Sequence, residues 1–207
     1  MKNPFEFAND EQPFGLPDFS GALYAEVNGN IPFFHGEKPL PHGYEMYSPL
    51  DSLGRCGVAE ANLHKDHTTT ETRESLSMVK PTGWHSVKYT KEDGTEWYFY
   101  HRSHLIRYKL MGENANALNL VTGTESMNER GMLPFEDKLL NYVLATGNHV
   151  RYRVTPIFKG NELVARGLLL EAESVEDEGK GIMFNVYCYN VQPGYEIDYA
   201  TGEHRKL

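Results

Sequence analysis

Residues 97–104 read Trp97-Tyr98-Phe99-Tyr100-His101-Arg102-Ser103-His104, and the same region continues through Asn119-Leu120-Val121-Thr122-Gly123-Thr124 to Asn128 and Glu136. Aromatic residues suit the pleated surface of a sheet, so Trp97–Tyr100 reads as a strand. Trp84–Thr90 reads as the strand before it, and Lys91–Thr95, which carries Asp93-Gly94, as the turn between them. The two histidines and the arginine then fall where a rigid strand opens into a loop, a useful place for catalytic groups.

Working outward, Pro134–Ala145 reads as a helix. Pro134 suits a first turn, Glu136 and Asp137 suit the positive helix start, and Leu139, Leu140, Val143 and Leu144 form an apolar stripe that Gly147 ends. Glu125–Asn128 reads as an earlier helix start. On a continuous helix Asn128 and Glu136 are about 2.2 turns apart and share a face, although Gly131 and Pro134 interrupt that geometry. Val150, Tyr152 and Val154 alternate with Arg151 and Arg153 as a strand does. Leu163–Ala172, Ile182–Tyr189 and Tyr195–Tyr199 follow at the spacing of an antiparallel meander. The order of strands, a central helical segment and more strands is that of an α+β domain.

Toward the N-terminus, residues 1–48 are rich in Pro, Gly, Asn and Phe. Pro13, Pro17, Pro32, Pro39 and Pro41 exclude a regular helix. This stretch reads as an extended segment packed on the core by Phe and Tyr anchors. It includes one hairpin, Ala22–Val27 and Ile31–Phe34 about an Asn28-Gly29-Asn30 turn. Arg55–His64 reads as a short helix and Lys65–Arg73 as a polar surface loop. Residues 49–207 form the main domain.

The chain has 207 residues, enough for one domain with a real core. No run of 18 apolar residues suggests a transmembrane helix, and Met1–Phe7 lacks an apolar core of signal-peptide length. Cys56 and Cys188 do not form a disulfide framework, and two buried thiols are the simpler reading. The net charge of −9 argues against nucleic acid as a partner. Its distribution weakens the argument. Residues 1–50 hold seven acidic against two basic residues, residues 161–207 nine against four, and residues 51–160 thirteen against fourteen.

A neutral imidazole can take a proton from water near neutral pH, and a guanidinium can grip a phosphate through two hydrogen bonds. Taken alone, His-Arg-Ser-His describes surface residues as well as a site, and Asn119 and Asn128 describe loop or cap residues. A zinc cluster of Cys56, His64, His67 and His42 can be drawn. Its Cys-x7-His-x2-His spacing lacks a Cys-x2-Cys pair, so solvated histidines are the better reading.

Together the ordered blocks resemble bacterial DNA/RNA non-specific endonucleases with a ββα-metal core, in particular the branch of streptococcal secreted DNases and DNA-entry nucleases. His101-Arg102-Ser103-His104 is similar to that family's Asp-Arg-Gly-His motif, and Asn119–Thr124, Asn128 and Glu136 follow in the family's order. Leu50–Arg55, Thr82-Gly83-Trp84, Val150–Pro156, Phe184-Asn185-Val186, Tyr189–Gly194 and Ile197–Gly202 extend the resemblance. It implies a ββα-metal core with a central antiparallel sheet flanked by helices and loops. It implies His104 as general base, Asn128 as ligand of Mg²⁺ (Mn²⁺ as a substitute), and Glu136 as the acid that holds the ion's waters. Arg102 and Asn119 are implied to orient the site or the phosphate. DNA is the implied substrate, with RNA and a protein inhibitor left open; the expected form is a monomer, secreted by the resemblance, with a cytoplasmic location as the alternative that the missing signal-peptide pattern leaves. Two positions depart from the pattern. His101 stands where the family has Asp or Asn, and Leu139 and Leu140 stand where relatives place a basic residue, a role that Arg130 or Arg153 could take. A weak or inactive binding module on the same fold is the competing reading.

Overall fold

The computed structural model describes residues 16–207, so Pro13 and the first part of the expected N-terminal segment lie outside it. The strands and helices, in chain order, are β1 (Tyr24–Glu26), β2 (Glu45–Tyr47), β3 (Ala59–Leu63), β4 (Lys88–Thr90), β5 (Glu96–Tyr98), β6 (Tyr100–His104), α1 (Tyr108–Met111), β7 (Leu120–Thr124), α2 (Leu133–Thr146), β8 (Val150–Ile157), β9 (Gly167–Ser174), β10 (Met183–Tyr189), β11 (Tyr195–Ile197) and β12 (His204–Lys206). A π-helical segment, Ser126–Met132, runs directly into α2. A six-stranded sheet has the order β1-β10-β9-β8-β3-β2, every pair antiparallel. Three two-stranded ribbons, β4–β5, β6–β7 and β11–β12, lie outside it.

Alternation along the strands builds the main core. Tyr152 and Val154 of β8, Leu168, Leu170 and Ala172 of β9, and Val186 and Cys188 of β10 form one cluster with Met127, Met132, Phe135, Leu139 and Val143 of the helical body. A smaller cluster gathers Leu169, Tyr187 and Tyr189 with Leu16 and Val27. The segment between β1 and β2 also covers buried charge. Phe34 stacks under the guanidinium groups of Arg151 and Arg153.

Several expectations change. Arg55–His64 is not a helix: Ala59–Leu63 is a buried strand between β2 and β8. Ala59, Ala61 and Leu63 enter the core, while Glu60 alternates away and pairs with Arg151 at 2.8 Å. Pairing on both sides outweighs the weak helix preference of an Ala-Glu-Ala run. The Asn28-Gly29-Asn30 turn exists, with φ of 53°, 62° and 63°, but its second leg does not return as a strand. β1 instead pairs with β10, and Asn30 and Ile31 are held by Asn185. β1 and β2 are thus the two edge strands of the sheet. β11 leaves the meander to pair with β12. Both cysteines are free and buried, so each packs as a small apolar side chain.

One side chain joins a ribbon to the sheet. Asn190, fully buried, accepts from the Thr124 amide at 2.8 Å and donates to the carbonyls of Thr122 and Ala165 at 3.0 and 2.9 Å.

Candidate active site

The chain changes partner at Phe99: β5 pairs back to β4, whereas β6 pairs forward to β7. His101 and Arg102 therefore lie within a strand and not in a loop beyond one, and only His104 is terminal. In the β6–β7 register His101 lies opposite Gly123 and His104 opposite Leu120. Gly123 permits this approach, since a β-carbon there would lie 2.3 Å from Ser103 Oγ and 2.6 Å from Met127 Cε.

After β7 the helical body is pinned from both sides. Thr124 Oγ1 accepts from the Met127 amide at 3.1 Å, and Gln192 Oε1 accepts from the Ser126 amide at 3.0 Å. The first turns are wide: the Leu133 N–H reaches back to the Asn128 carbonyl. That width suits Pro134, which has no N–H and would crowd the carbonyl four residues back in an α-helix. The helix therefore passes through Gly131 and Pro134 unbroken, and Asn128 and Glu136 belong to one body.

The ribbon and this body open on one cleft of about 920 Å³, lined by His101, Arg102, His104, Asn128 and Glu136. Arg73, Trp84 and Arg107 line it too. His104 is buried, at 7% exposure, and its Nε2 lies 2.8 Å from the Asn114 carbonyl. A carbonyl can only accept, so Nε2 carries the proton and Nδ1 the lone pair. Burial holds the His104 pKa below the ordinary imidazole value, and the Arg73 charge pushes in the same direction.

Asn128 Nδ2 lies 3.2 Å from His101 Nδ1. An amide N–H can only donate, so the imidazole accepts and orients the amide. Among the described residues Asn128 Oδ1 has no hydrogen-bond partner. Glu136 is 5% exposed, and its carboxylate also has no such partner. Burial raises its pKa to about 8, despite the nearby Arg107. A free carboxamide oxygen and a buried carboxyl without a hydrogen-bond partner, which a cation would hold in its ionised form, are the donor chemistry of a hard divalent cation, so these residues fit one.

Arg102 is held in place: its Nε donates to the Val79 carbonyl at 2.5 Å, and its guanidinium stacks 4.1 Å from the Trp84 ring. Three residues expected at the site do not line the cleft. Asn119 is fully buried and spends its amide on the backbone of Ile106, at 2.8 and 2.9 Å. It cannot touch a phosphate where it lies, and it fixes the turn after His104. Arg153 pairs through two nitrogens with the fully buried Glu171, at 2.8 and 3.0 Å, on the six-stranded sheet. Arg130 reaches Ser126 Oγ and Glu125, and its side chain is half exposed outside the cleft. The cleft cations are Arg73, Arg102 and Arg107 instead. Arg73 sits in a polar stretch with no local signal to mark it. Trp84 lay in a block that did stand out.

An antiparallel ribbon that delivers an imidazole, followed by a helix that delivers a carboxamide and a carboxylate to the same cleft, defines a ββα-metal nuclease core. Residues 37–176 match the DNA/RNA non-specific endonuclease family, and the chain belongs to that family. NucA from Streptococcus agalactiae has a similar structure. With magnesium bound it superposes with a TM-score of 0.76, and without metal 0.74. Both are 30% identical and cover 88% of this chain and 86% of that one. The Sda1 nuclease with bound zinc is 29% identical, with a TM-score of 0.69 over 82% of this chain and 84% of that one. A deoxyribonuclease from Streptococcus dysgalactiae subsp. equisimilis is 31% identical over 105 residues. The match spans 48% of this chain but only 31% of that relative.

Proposed function

We propose that the chain is a metal-dependent endonuclease that cuts DNA without sequence preference. His104 acts as the general base, Asn128 is the direct ligand of a divalent cation, and Glu136 holds the ion's waters. The observation that carries this reading is the shared cleft. One imidazole with a fixed tautomer, one free carboxamide oxygen and one buried carboxyl without a hydrogen-bond partner open on the same space.

His104 Nδ1 takes a proton from the attacking water while the Asn114 carbonyl holds the ring's other nitrogen. A cation held by Asn128 would supply positive charge next to the scissile phosphate. A neutral amide ligand leaves that charge nearly intact. Arg102, held by Val79, Ser77 and Trp84, presents its remaining outer nitrogen, Nη1, to a phosphate oxygen. These contacts go to phosphate and not to base edges, so they carry no sequence information. Mg²⁺ is the ion the oxygen donors favour. It is bound in one form of the S. agalactiae relative. Zinc is bound in Sda1, and Mn²⁺ shares the same ligand preference.

Plasmid nicking with Mg²⁺, and again after EDTA, tests the proposal. The wild type is expected to nick only with the metal, and His104→Ala is expected to lose activity 10²–10⁴-fold with its fold intact. A wild type that binds DNA but never cuts it between pH 6 and 9 would overturn the catalytic reading and leave a binding module. Parallel assays on DNA and RNA determine whether RNA is also a substrate.

A further inference from the structure

Outside the cleft, the fold gathers four histidines that are scattered in sequence: His42 before β2, His64 at the end of β3, His67 one turn later, and His149 at the start of β8. One ring nitrogen from each of His42, His64 and His149 lies within 4.8 Å of the others. His42 Nδ1 and His149 Nε2 are 2.9 Å apart. The His67 ring lies 4.7 Å from that of His42.

We propose that this cluster is a second metal site, for a late first-row divalent ion such as Zn²⁺, built on His42, His64 and His149, with His67, which stands outside that 4.8 Å group, moving in as fourth ligand.

Three observations point to an ion. First, two imidazole nitrogens that share a tetrahedral zinc at about 2.0–2.1 Å are roughly 3.4 Å apart. The His42–His149 pair is hydrogen-bonded at 2.9 Å without an ion, so a metal would take the place of that shared proton with a slight opening, and the third ligand atom, within 4.8 Å, would close in. Second, His67 Nδ1 is buried without a hydrogen-bond partner among the described residues. A buried imidazole nitrogen costs free energy unless something binds it. Third, the supporting contacts prepare His149 as a ligand. Glu176 Oε1 lies 2.5 Å from its Nδ1 and fixes the proton there, and Glu176 also takes the His149 backbone amide at 2.7 Å. That leaves the Nε2 lone pair facing His42. A carboxylate behind a histidine is the usual support of a metal ligand. His64 Nε2 is anchored by the Gly147 carbonyl at 3.0 Å, so its ligand atom is Nδ1, and an ion there would replace the 3.3 Å bond that Nδ1 now accepts from the Asp66 amide.

The ligand set sets the site apart from the cleft. Imidazole nitrogens suit Zn²⁺, Ni²⁺ or Cu²⁺ and not Mg²⁺, whereas the cleft offers oxygens. None of the four histidines lines the cleft. Cys56 takes no part, since it packs in the main core. A bound ion would tie the segment before β2 to the end of β3 and to the connection from α2 to β8, so its role is structural.

The test is calorimetric titration of the chelator-treated full chain with Zn²⁺, and with Co²⁺ as a spectroscopic probe of nitrogen ligands. The wild type is expected to take up one equivalent that is absent from His42→Ala and His149→Gln. His42 is exposed, so that variant is expected to fold, and circular dichroism checks both. Glu176→Gln should bind this equivalent 10–100-fold more weakly. Asn128→Ala should retain it. Equal stoichiometry in the wild type and in folded histidine variants would overturn the proposal. So would loss of the equivalent in Asn128→Ala.

Discussion

The side-chain amide of Asn119 satisfies both backbone groups of Ile106. Its Oδ1 accepts from the Ile106 N–H at 2.8 Å, and its Nδ2 donates to the Ile106 carbonyl at 2.9 Å. The Asn119 carbonyl takes the Leu105 N–H as well. Two residues after His104, the chain therefore has one course open to it. Asn119→Ala leaves a buried donor and acceptor unpaired, which costs about 2–5 kcal/mol. Urea melts should show that loss, and kcat should fall because His104 is no longer held. A variant of normal stability with only a raised KM would instead make Asn119 a substrate contact.

Arg153 gives the converse case. It neutralises Glu171, whose side chain has no solvent exposure. Arg153→Ala strands that carboxylate and is expected to cost about 3–5 kcal/mol. In the protein that remains folded, cleavage should proceed at the normal rate. A stable variant with weakened DNA binding would place Arg153 at the substrate.

Arg102 depends on shape as much as charge. Arg102→Lys keeps the charge but loses the stacking on Trp84 and the forked donor. It is expected to lower kcat/KM by about 10–100-fold, or 1.4–2.7 kcal/mol. Trp84→Ala should give part of the same loss, chiefly in KM. Steady-state assays at two salt concentrations measure both.

The pH dependence follows from His104, whose pKa burial holds below 6.5. The base is competent when neutral, so the rate should rise with pH through this lowered value and be level by neutrality when saturating Mg²⁺ brings the Glu136 carboxyl below its metal-free value of about 8. For stability the sign runs the same way. The unfolded imidazole binds a proton more readily than the folded one, so stability is present above about pH 6.5 and is lost as pH falls toward the folded pKa. His104→Ala should flatten both curves, as pH–rate profiles and melts will show.

Gly123→Ala places a methyl group against Ser103 and Met127 and is expected to cost about 1–3 kcal/mol of overpacking strain. Thermal melts measure it, and a neutral change would show that the ribbon can shift.

How much of this was legible in the linear chain depended on range. The aromatic strand, the Asp93-Gly94 turn and the amphipathic stretch after Pro134 rest on local chemistry, and each appears close to where that chemistry puts it. The unbroken helix from Asn128 to Glu136 needed a widened turn that no local pattern announces. β3 was obscured because Ala59-Glu60-Ala61-Asn62-Leu63 has the composition of a helix, and only its two neighbouring strands decide otherwise. For Arg130 and Arg153 a charge could be seen but not its partner. The histidine cluster was half visible: His42, His64 and His67 stood out, but His149 is brought to them only by the pairing of β3 with β8.

The bridge made by Asn190 has a thermal consequence. The strands that bear His104 share no backbone ladder with the six-stranded sheet; the Asn190 amide, a bond from Thr124 Oγ1 to the Val191 carbonyl and the packing of Val121 in the main core join them to it. Such a join can open sub-globally while the larger sheet stays closed. On warming, amide hydrogens of 100–104 and 120–124 should exchange ahead of those in β8 and β9, and enzyme function should fade below the temperature at which the molecule as a whole melts.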